Sequence, residues 1–228
     1  MITKTRSSVF IVDPAVEQPA HDSFNAMTAL TDLRMTYHMP ALFGVSSLLE
    51  EQSRHGCLGA IILGSAAHVT EGKSWQKELV GWLQIFSRAK KPILGICYGH
   101  QLLAHMHGAK VDYLFPDQRK LTGTRHIEFH SNSRLFPNGW KGELYVSHKQ
   151  AVIDLSNTPL KATAKSPDCL VDSFEHRDLP IYGVQSHPEA TPQFIRTLGQ
   201  ELPAGDSYRL AGSQVLRAFF GLVGQYSA

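Results

Sequence analysis

The sequence predicts an α/β protein: an open, mostly parallel central sheet with helices on both faces, plus a small antiparallel sheet. Three observations carry this. Short apolar runs at Ser8 to Asp13, Leu58 to Leu63 and Pro92 to Ile96 read as buried strands. Amphipathic stretches of helical period separate them. A segment rich in glycine and proline, from Val111 to Leu160, shows alternating patterns instead. Strands that alternate with helices signal a parallel sheet with crossover connections, whereas alternating polar and apolar residues signal antiparallel hairpins.

Ser8 to Asp13 is the first strand. Pro14 to Pro40 is irregular, with a short helix predicted near Phe24 to Leu33. Phe43 to His55 places Val45, Leu48 and Leu49 on one side of a helix, and Gly56 is its C-cap. In the segment from Trp75 to Arg88, Trp75, Leu79, Trp82, Leu83 and Phe86 share a helical face and form a core stripe. Tyr98 to His107 reads as a helix closed by Gly108. Hairpin strands are predicted at Arg125 to Phe129, Glu143 to Val146 and Ala151 to Leu155. Ile181 to Gln185 is a further strand, and Pro192 to Leu198 and Gln214 to Val223 are covering helices. No repeat, low-complexity tract or linker appears, so residues 1–228 are expected to form one domain.

Composition removes several function classes. The chain has 228 residues, enough to bury a full core without staples. A net charge of +2 leaves no footprint for nucleic acid or an acidic membrane. Three widely spaced cysteines, Cys57, Cys97 and Cys169, contain no CxxC pair, which argues against a disulfide framework or a cysteine zinc site. Lys4 and Arg6 precede an apolar run, but Asp13 and Pro14 end it too early for a signal peptide. No run approaches the length of a membrane span. A cytoplasmic location is the expectation.

The strongest local signal is Leu94-Gly95-Ile96-Cys97-Tyr98-Gly99-His100-Gln101. A buried strand ends, a cysteine follows, and a helix starts at once. Glycines two before and two after the cysteine give the spacing of a nucleophile elbow, with cysteine in place of serine. The sharp turn brings flanking residues so close that side chains there clash. A cysteine at a helix N-terminus is favoured as thiolate. The following amide, Tyr98 N–H, points to where an oxyanion forms.

Such a nucleophile needs a base, and the base an orienting group. Of twelve histidines, one lies just beyond a predicted buried strand, in Gly183-Val184-Gln185-Ser186-His187-Pro188-Glu189. Ligands of open α/β sheets bind at that end of the strands. Pro188 biases His187 to an extended backbone, so Glu189 points to the same side and can fix the imidazole. Alone, either motif is compatible with a buried thiol or a surface histidine; together they point to a Cys-His-Glu triad for nucleophilic catalysis.

The two segments resemble the class I (triad) glutamine amidotransferases. Gly95, Cys97, Gly99 and Gln101 match that family's G-x-C-x-G-x-Q pattern, and Gly183, Gln185, His187, Pro188 and Glu189 match its G-x-Q-x-H-P-E pattern. The resemblance is greatest to the amidotransferase domain of GMP synthase and its free-standing relatives. It implies a flavodoxin-like fold, catalytic Cys97, His187 and Glu189, and no metal or organic cofactor. By the same resemblance, Gly64 and Ser65 belong to the oxyanion loop, with Ser65 and Ala66 replacing the usual Gly-Pro. Ser65 and Tyr98 amides form the oxyanion hole. Gln101, Ser147, His148 and Lys149 belong to the substrate-binding segments, and Gly123 matches a glycine before the next strand. Lys149 and Gln150 depart from the usual glycine and aspartate, and Ser186 from phenylalanine.

Three functions stay open. One is a glutaminase releasing ammonia for a separate synthase subunit. The second is a free-standing γ-glutamyl peptide hydrolase. The third is a non-catalytic regulatory or binding module on the same fold. The small-molecule partner is glutamine or a γ-glutamyl compound, with no nucleic acid and no membrane. Exposed strands or helices leave a homodimer open. His105 and His107, two apart on a helix, face different sides, poor geometry for a metal. Cys57 and Cys169 are read as structural thiols. His100 is read as lining the crevice or supporting it, and His126 and His130 as facing solvent or a partner.

Overall fold

The computed structural model describes residues 7–226. Lys4 and Arg6 of the signal-peptide reading lie outside the described residues. The elements run β1 (Ser8–Val12), α1 (His21–Thr28), β2 (Met35–His38), α2 (Pro40–Phe43), α3 (Ser46–His55), β3 (Cys57–Ile62), α4 (Ser74–Arg88), β4 (Ile93–Ile96) and α5 (Tyr98–Met106). They continue β5 (Lys110–Tyr113), β6 (Leu121–Phe129), β7 (Trp140–His148), β8 (Gln150–Asp154), β9 (Leu160–Lys165), β10 (Ser173–His176), β11 (Ile181–Val184), α6 (Pro192–Thr197) and α7 (Ser207–Gln225).

Nine strands form one sheet in the order β2-β1-β3-β4-β11-β10-β9-β6-β7. The half from β2 to β11 is parallel. From β11 to β7 every pairing is antiparallel. A separate antiparallel pair joins β5 to β8. The α/β class with its small antiparallel sheet thus holds, and the hairpin region also extends the main sheet.

Strand periodicity sorts the parallel half into two cores. Phe10, Val12, Ala60 and Ile62 face one side, where Leu48 of α3, Leu79, Trp82, Leu83 and Phe86 of α4, and Leu102 and Leu103 of α5 cover them. Val9, Ile11 and Ile61 face the other, under Met27 of α1 and Val215, Leu216, Phe219 and Val223 of α7. Covered on both faces, these strands must be apolar throughout, which is why they read as unbroken runs. Trp82 stacks on Phe86 with ring centroids 4.9 Å apart, and its indole N–H donates to Gln52 Oε1 at 2.9 Å. The aromatic stripe is therefore core.

Several elements differ from expectation for physical reasons. The helix expected near Phe24 to Leu33 is α1, and β2 follows it in a stretch read as irregular. Met-Thr-Tyr-His has no apolar run because β2 is a half-buried edge strand, held by backbone pairing to β1 alone. Helix α3 begins at Ser46, since Gly44 at φ 69° ends the short α2 first. Gly56, at φ 77°, caps α3 as expected. Helix α7 begins seven residues before Gln214. Its Gly212 lies so close to Pro188 that a Cβ there would sit 2.2 Å from the Pro188 carbonyl oxygen. Gly123 lies within β6 rather than before it, with φ 101°. Strands β9 and β10 were not read from the sequence. No helix of the described residues is long and apolar enough to cross a membrane.

Candidate active site

Cys97 sits between β4 and α5 with φ 51° and ψ −102°. A non-glycine residue at positive φ is strained by about 1–3 kcal/mol and persists only where its surroundings fix it. Here the Cys97 N–H donates to Val184 O at 2.9 Å, and the Gly99 N–H donates to Leu63 O at 3.2 Å. The turn closes only around glycine. A Cβ on Gly95 would lie 2.4 Å from the Gly99 carbonyl, and one on Gly99 would lie 2.2 Å from Ile62 O. The glycine spacing read from the sequence thus has a measured steric cause. The Cys97 side chain is 5% exposed and opens on a cavity.

His187 follows β11 and is buried against β7. Its N–H donates to Tyr145 O at 2.7 Å, so the neighbouring antiparallel strand fixes its backbone. Glu189 Oε1 lies 2.8 Å from His187 Nδ1. An ionised carboxylate only accepts, so Nδ1 carries the proton and Nε2 remains for chemistry. The ring borders the same cavity as Cys97, whose charge acts on it. Burial disfavours the charged ring, yet the Glu189 carboxylate and Cys97 outweigh it, and the His187 pKa rises to about 10. The protonated imidazole is therefore the favoured form beside the thiol. A Cβ on Gly64 would sit 2.9 Å from His187 Cε1, so the glycine lets the loop after β3 press against the ring.

The cavity, roughly 200 Å³, is bordered by Gly64, Ser65, Cys97, Ser147 and His187. Its far wall is the segment from Asp13 to Ser23, closed by Phe194, Thr197 and Leu198. Ser65 is turned towards that wall: its hydroxyl donates to Pro14 O at 2.7 Å and accepts from the Ala67 N–H at 3.2 Å. The Tyr98 backbone belongs to the elbow, but its ring points away and its hydroxyl accepts from Gln76 Nε2 at 3.1 Å.

Three residues of the substrate-binding reading do not line the cavity. Gln101 Nε2 donates to Gln150 O at 2.7 Å and to Gln185 Oε1 at 3.1 Å, tying α5 to β8 and to the loop after β11. His148 is buried with Nδ1 2.8 Å from Gln150 O, and burial, opposed by that contact, lowers its pKa to about 4. Lys149 is exposed, and its carbonyl accepts from the Leu114 N–H at 2.8 Å.

Among the cavity residues that sequence reasoning missed, two stand out. Asp13, at the carboxyl end of β1, accepts from the Ala15 and Ala20 N–H groups at 3.0 and 2.8 Å and from the Tyr37 hydroxyl. It thereby shapes the far wall. An acid closing a buried strand was a usable signal. Lys120, just before β6, borders the cavity beside Ser147 and belongs to no motif. Elsewhere, His100 is wholly buried against Phe174 and behind the site, with its pKa lowered by burial to about 3. His105 and His126 are exposed. Cys57 and Cys169 are buried free thiols whose pKa burial pushes to about 12, which leaves them unreactive.

A strained cysteine facing a carboxylate-held histidine invites comparison with known proteins. The family model for glutamine amidotransferase class-I matches residues 27–198. The chain belongs to the class I glutamine amidotransferases. This amidotransferase is 33% identical over 143 residues to a glutamine-hydrolyzing GMP synthase subunit of Methanopyrus kandleri, covering 61% of this chain and 70% of that one. It is also 35% identical over 105 residues to anthranilate synthase component 2 of Methanothermobacter thermautotrophicus, covering 44% of this chain and half of the relative. The crystal structure of a glutamine amidotransferase from Thermotoga maritima superposes with a TM-score of 0.72 at 16% identity, over 96% of this chain and 98% of that one. That likeness shows the shared fold.

Proposed function

We propose that this amidotransferase hydrolyses the side-chain amide of glutamine through Cys97, His187 and Glu189, as a single domain spanning residues 1–228. The observation that carries the reading is the His187 ring, held by Glu189 at 2.8 Å and bordering one cavity with Cys97. The Cys97 thiolate, paired with protonated His187, attacks the amide carbon. The oxyanion is held by the Tyr98 and Ser65 amides, an interaction of about 3–4 kcal/mol for such a donor. His187 donates its proton to the departing nitrogen, ammonia leaves, and a γ-glutamyl thioester remains. Water then attacks, His187 takes its proton, the carbon–sulfur bond breaks, and glutamate is released.

The relatives named as an anthranilate synthase component and a GMP synthase subunit support a separate synthase as the ammonia acceptor. The greater coverage of the GMP synthase relative favours an acceptor of that type. The far wall from Asp13 to Ser23 leaves room beyond Cys97 and supports a second reading, a γ-glutamyl amide with a larger leaving amine. Ammonia release from glutamine, run beside a panel of γ-glutamyl peptides and with a synthase chain added, tests both. Glutamine turnover accelerated by the synthase supports the first reading. Turnover of peptides alone replaces it with the second.

A further inference from the structure

Lys120 is the lysine of the cavity lining and belongs to neither the motifs nor the proposed reaction. It precedes β6, on the wall formed by the antiparallel half of the sheet, and borders the same cavity as Cys97 and Ser147. Cys97 and Glu17 favour its charge, and Lys149 opposes it. Glu17 lies on the far wall, yet no ion pair or hydrogen bond to Lys120 forms among the described residues. Surface lysines commonly rest against a carboxylate or in open water. Lys120 is exposed at the rim of the cavity, beside the Ser147 hydroxyl, which is itself buried without a partner.

The chemistry of those two groups is specific. An ammonium and a hydroxyl donor on one wall, within reach of the nucleophile, suit a carboxylate. We propose that Lys120 is the specificity-determining cation of this site, binding the free α-carboxylate of a substrate whose γ-carboxamide lies at Cys97. The proposal rests on the glutaminase reading and narrows it. The site selects amino acids with an unblocked α-carboxylate and rejects glutamine residues inside a peptide chain. Lys120 acts by binding, not on the thiol.

The test uses the full chain as wild type, Lys120→Met and Lys120→Arg, with glutamine and glutaminamide, whose α-carboxylate is a neutral amide. A lost charge-assisted hydrogen bond raises KM for glutamine about 10–100-fold in Lys120→Met. The expected kcat stays within about threefold, KM for glutaminamide is unchanged, and Lys120→Arg recovers most of the loss. An equal rise in KM for both substrates overturns the proposal. So does a fall in kcat alone, which places the charge on the thiol instead. A second readout needs no turnover: protection of Cys97 by glutamine against iodoacetamide. Protection about 10–100-fold weaker in Lys120→Met supports the proposal. Equal protection of both proteins, or none of wild type, overturns it. Absence of ammonia release from wild type refutes the glutaminase reading separately, while the protection data still decide the role of Lys120.

Discussion

The two halves of the nine-stranded sheet divide the work differently. The parallel half, β2-β1-β3-β4-β11, carries Cys97 on a turn fixed by local sterics. The antiparallel half, β10-β9-β6-β7, contributes Ser147, is preceded at β6 by Lys120, and holds the His187 backbone through Tyr145. On the proposed reading, the first half sets the reaction and the second sets what is recognised. The contrast also separates two kinds of structural information. The elbow's signature is written in neighbouring residues, although Leu63 and Val184 hold the turn, whereas the recognition wall leaves no local signature and needs strands far apart in sequence to pair in one register.

The largest expected effect tests the reaction half directly. Cys97→Ala should lower ammonia release from glutamine by about 10⁴-fold or more, because a nucleophile has no local substitute. A coupled glutamate dehydrogenase assay reads this, with circular dichroism confirming that the variant is folded. Residual activity near wild type would remove Cys97 from the chemistry and dissolve the division between the halves.

The elbow itself should break next. In Gly99→Ala the new methyl would lie 2.2 Å from the Ile62 carbonyl oxygen, so backbone must move. A loss of about 3 kcal/mol in urea unfolding is expected, with activity lost as the turn opens. A stable, active Gly99→Ala protein would show that the turn is less constrained than its contacts require.

The antiparallel half has its own brace. Glu175 of β10 is wholly buried, accepting from the Ser133 hydroxyl at 2.8 Å, the Arg134 N–H at 2.6 Å and Arg134 Nε at 3.0 Å. Arg134 Nη2 also donates to the carbonyls of His176 and Leu179. Arg134→Met leaves a buried carboxylate short of its main countercharge and should cost about 2–3 kcal/mol, since Arg134 is itself partly exposed. Urea unfolding at neutral pH checks it. A neutral result would mean that Lys161, 3.9 Å from Glu175, already satisfies the carboxylate.

What was legible in the sequence follows the same line. The elbow, His187 and Glu189 could be read because each depends on residues within a few positions: Gly95 and Gly99 around Cys97, and Pro188 between the base and its carboxylate. The buried strands β1, β3, β4 and β11 could be read because burial on both faces demands unbroken apolar runs. Strand β2 could not, since an edge strand needs no such run. Strands β9 and β10 and the position of Lys120 depend on pairings such as Glu128 with Lys165 and Gly123 with Val146, which no local pattern specifies. The segment expected to bind substrate reaches the cavity only in part. Ser147 faces the cavity, while His148 and Gln101 turn to Gln150 and tie the framework together.

The smallest effect links the halves, because His187 is oriented by Glu189 yet anchored by Tyr145. Its pKa is raised from 6.5 to about 10, burial opposing and the Glu189 and Cys97 charges prevailing. The stabilised form is the protonated one. Its contribution to folding is therefore complete below pH 6.5 and is lost as the pH rises through about 10. Glu189→Gln removes the main source of that rise. The stability gap between wild type and Glu189→Gln should be widest near about pH 6 and should close towards about pH 10. The proton that His187 donates to the leaving nitrogen is also lost earlier, so the alkaline limb of kcat moves to lower pH while kcat at its optimum falls about 10²-fold. Urea unfolding and pH–rate profiles on the same two proteins check this together. A gap that widens with pH would mean that the neutral imidazole is the stabilised form, and the acid step would then need a different donor.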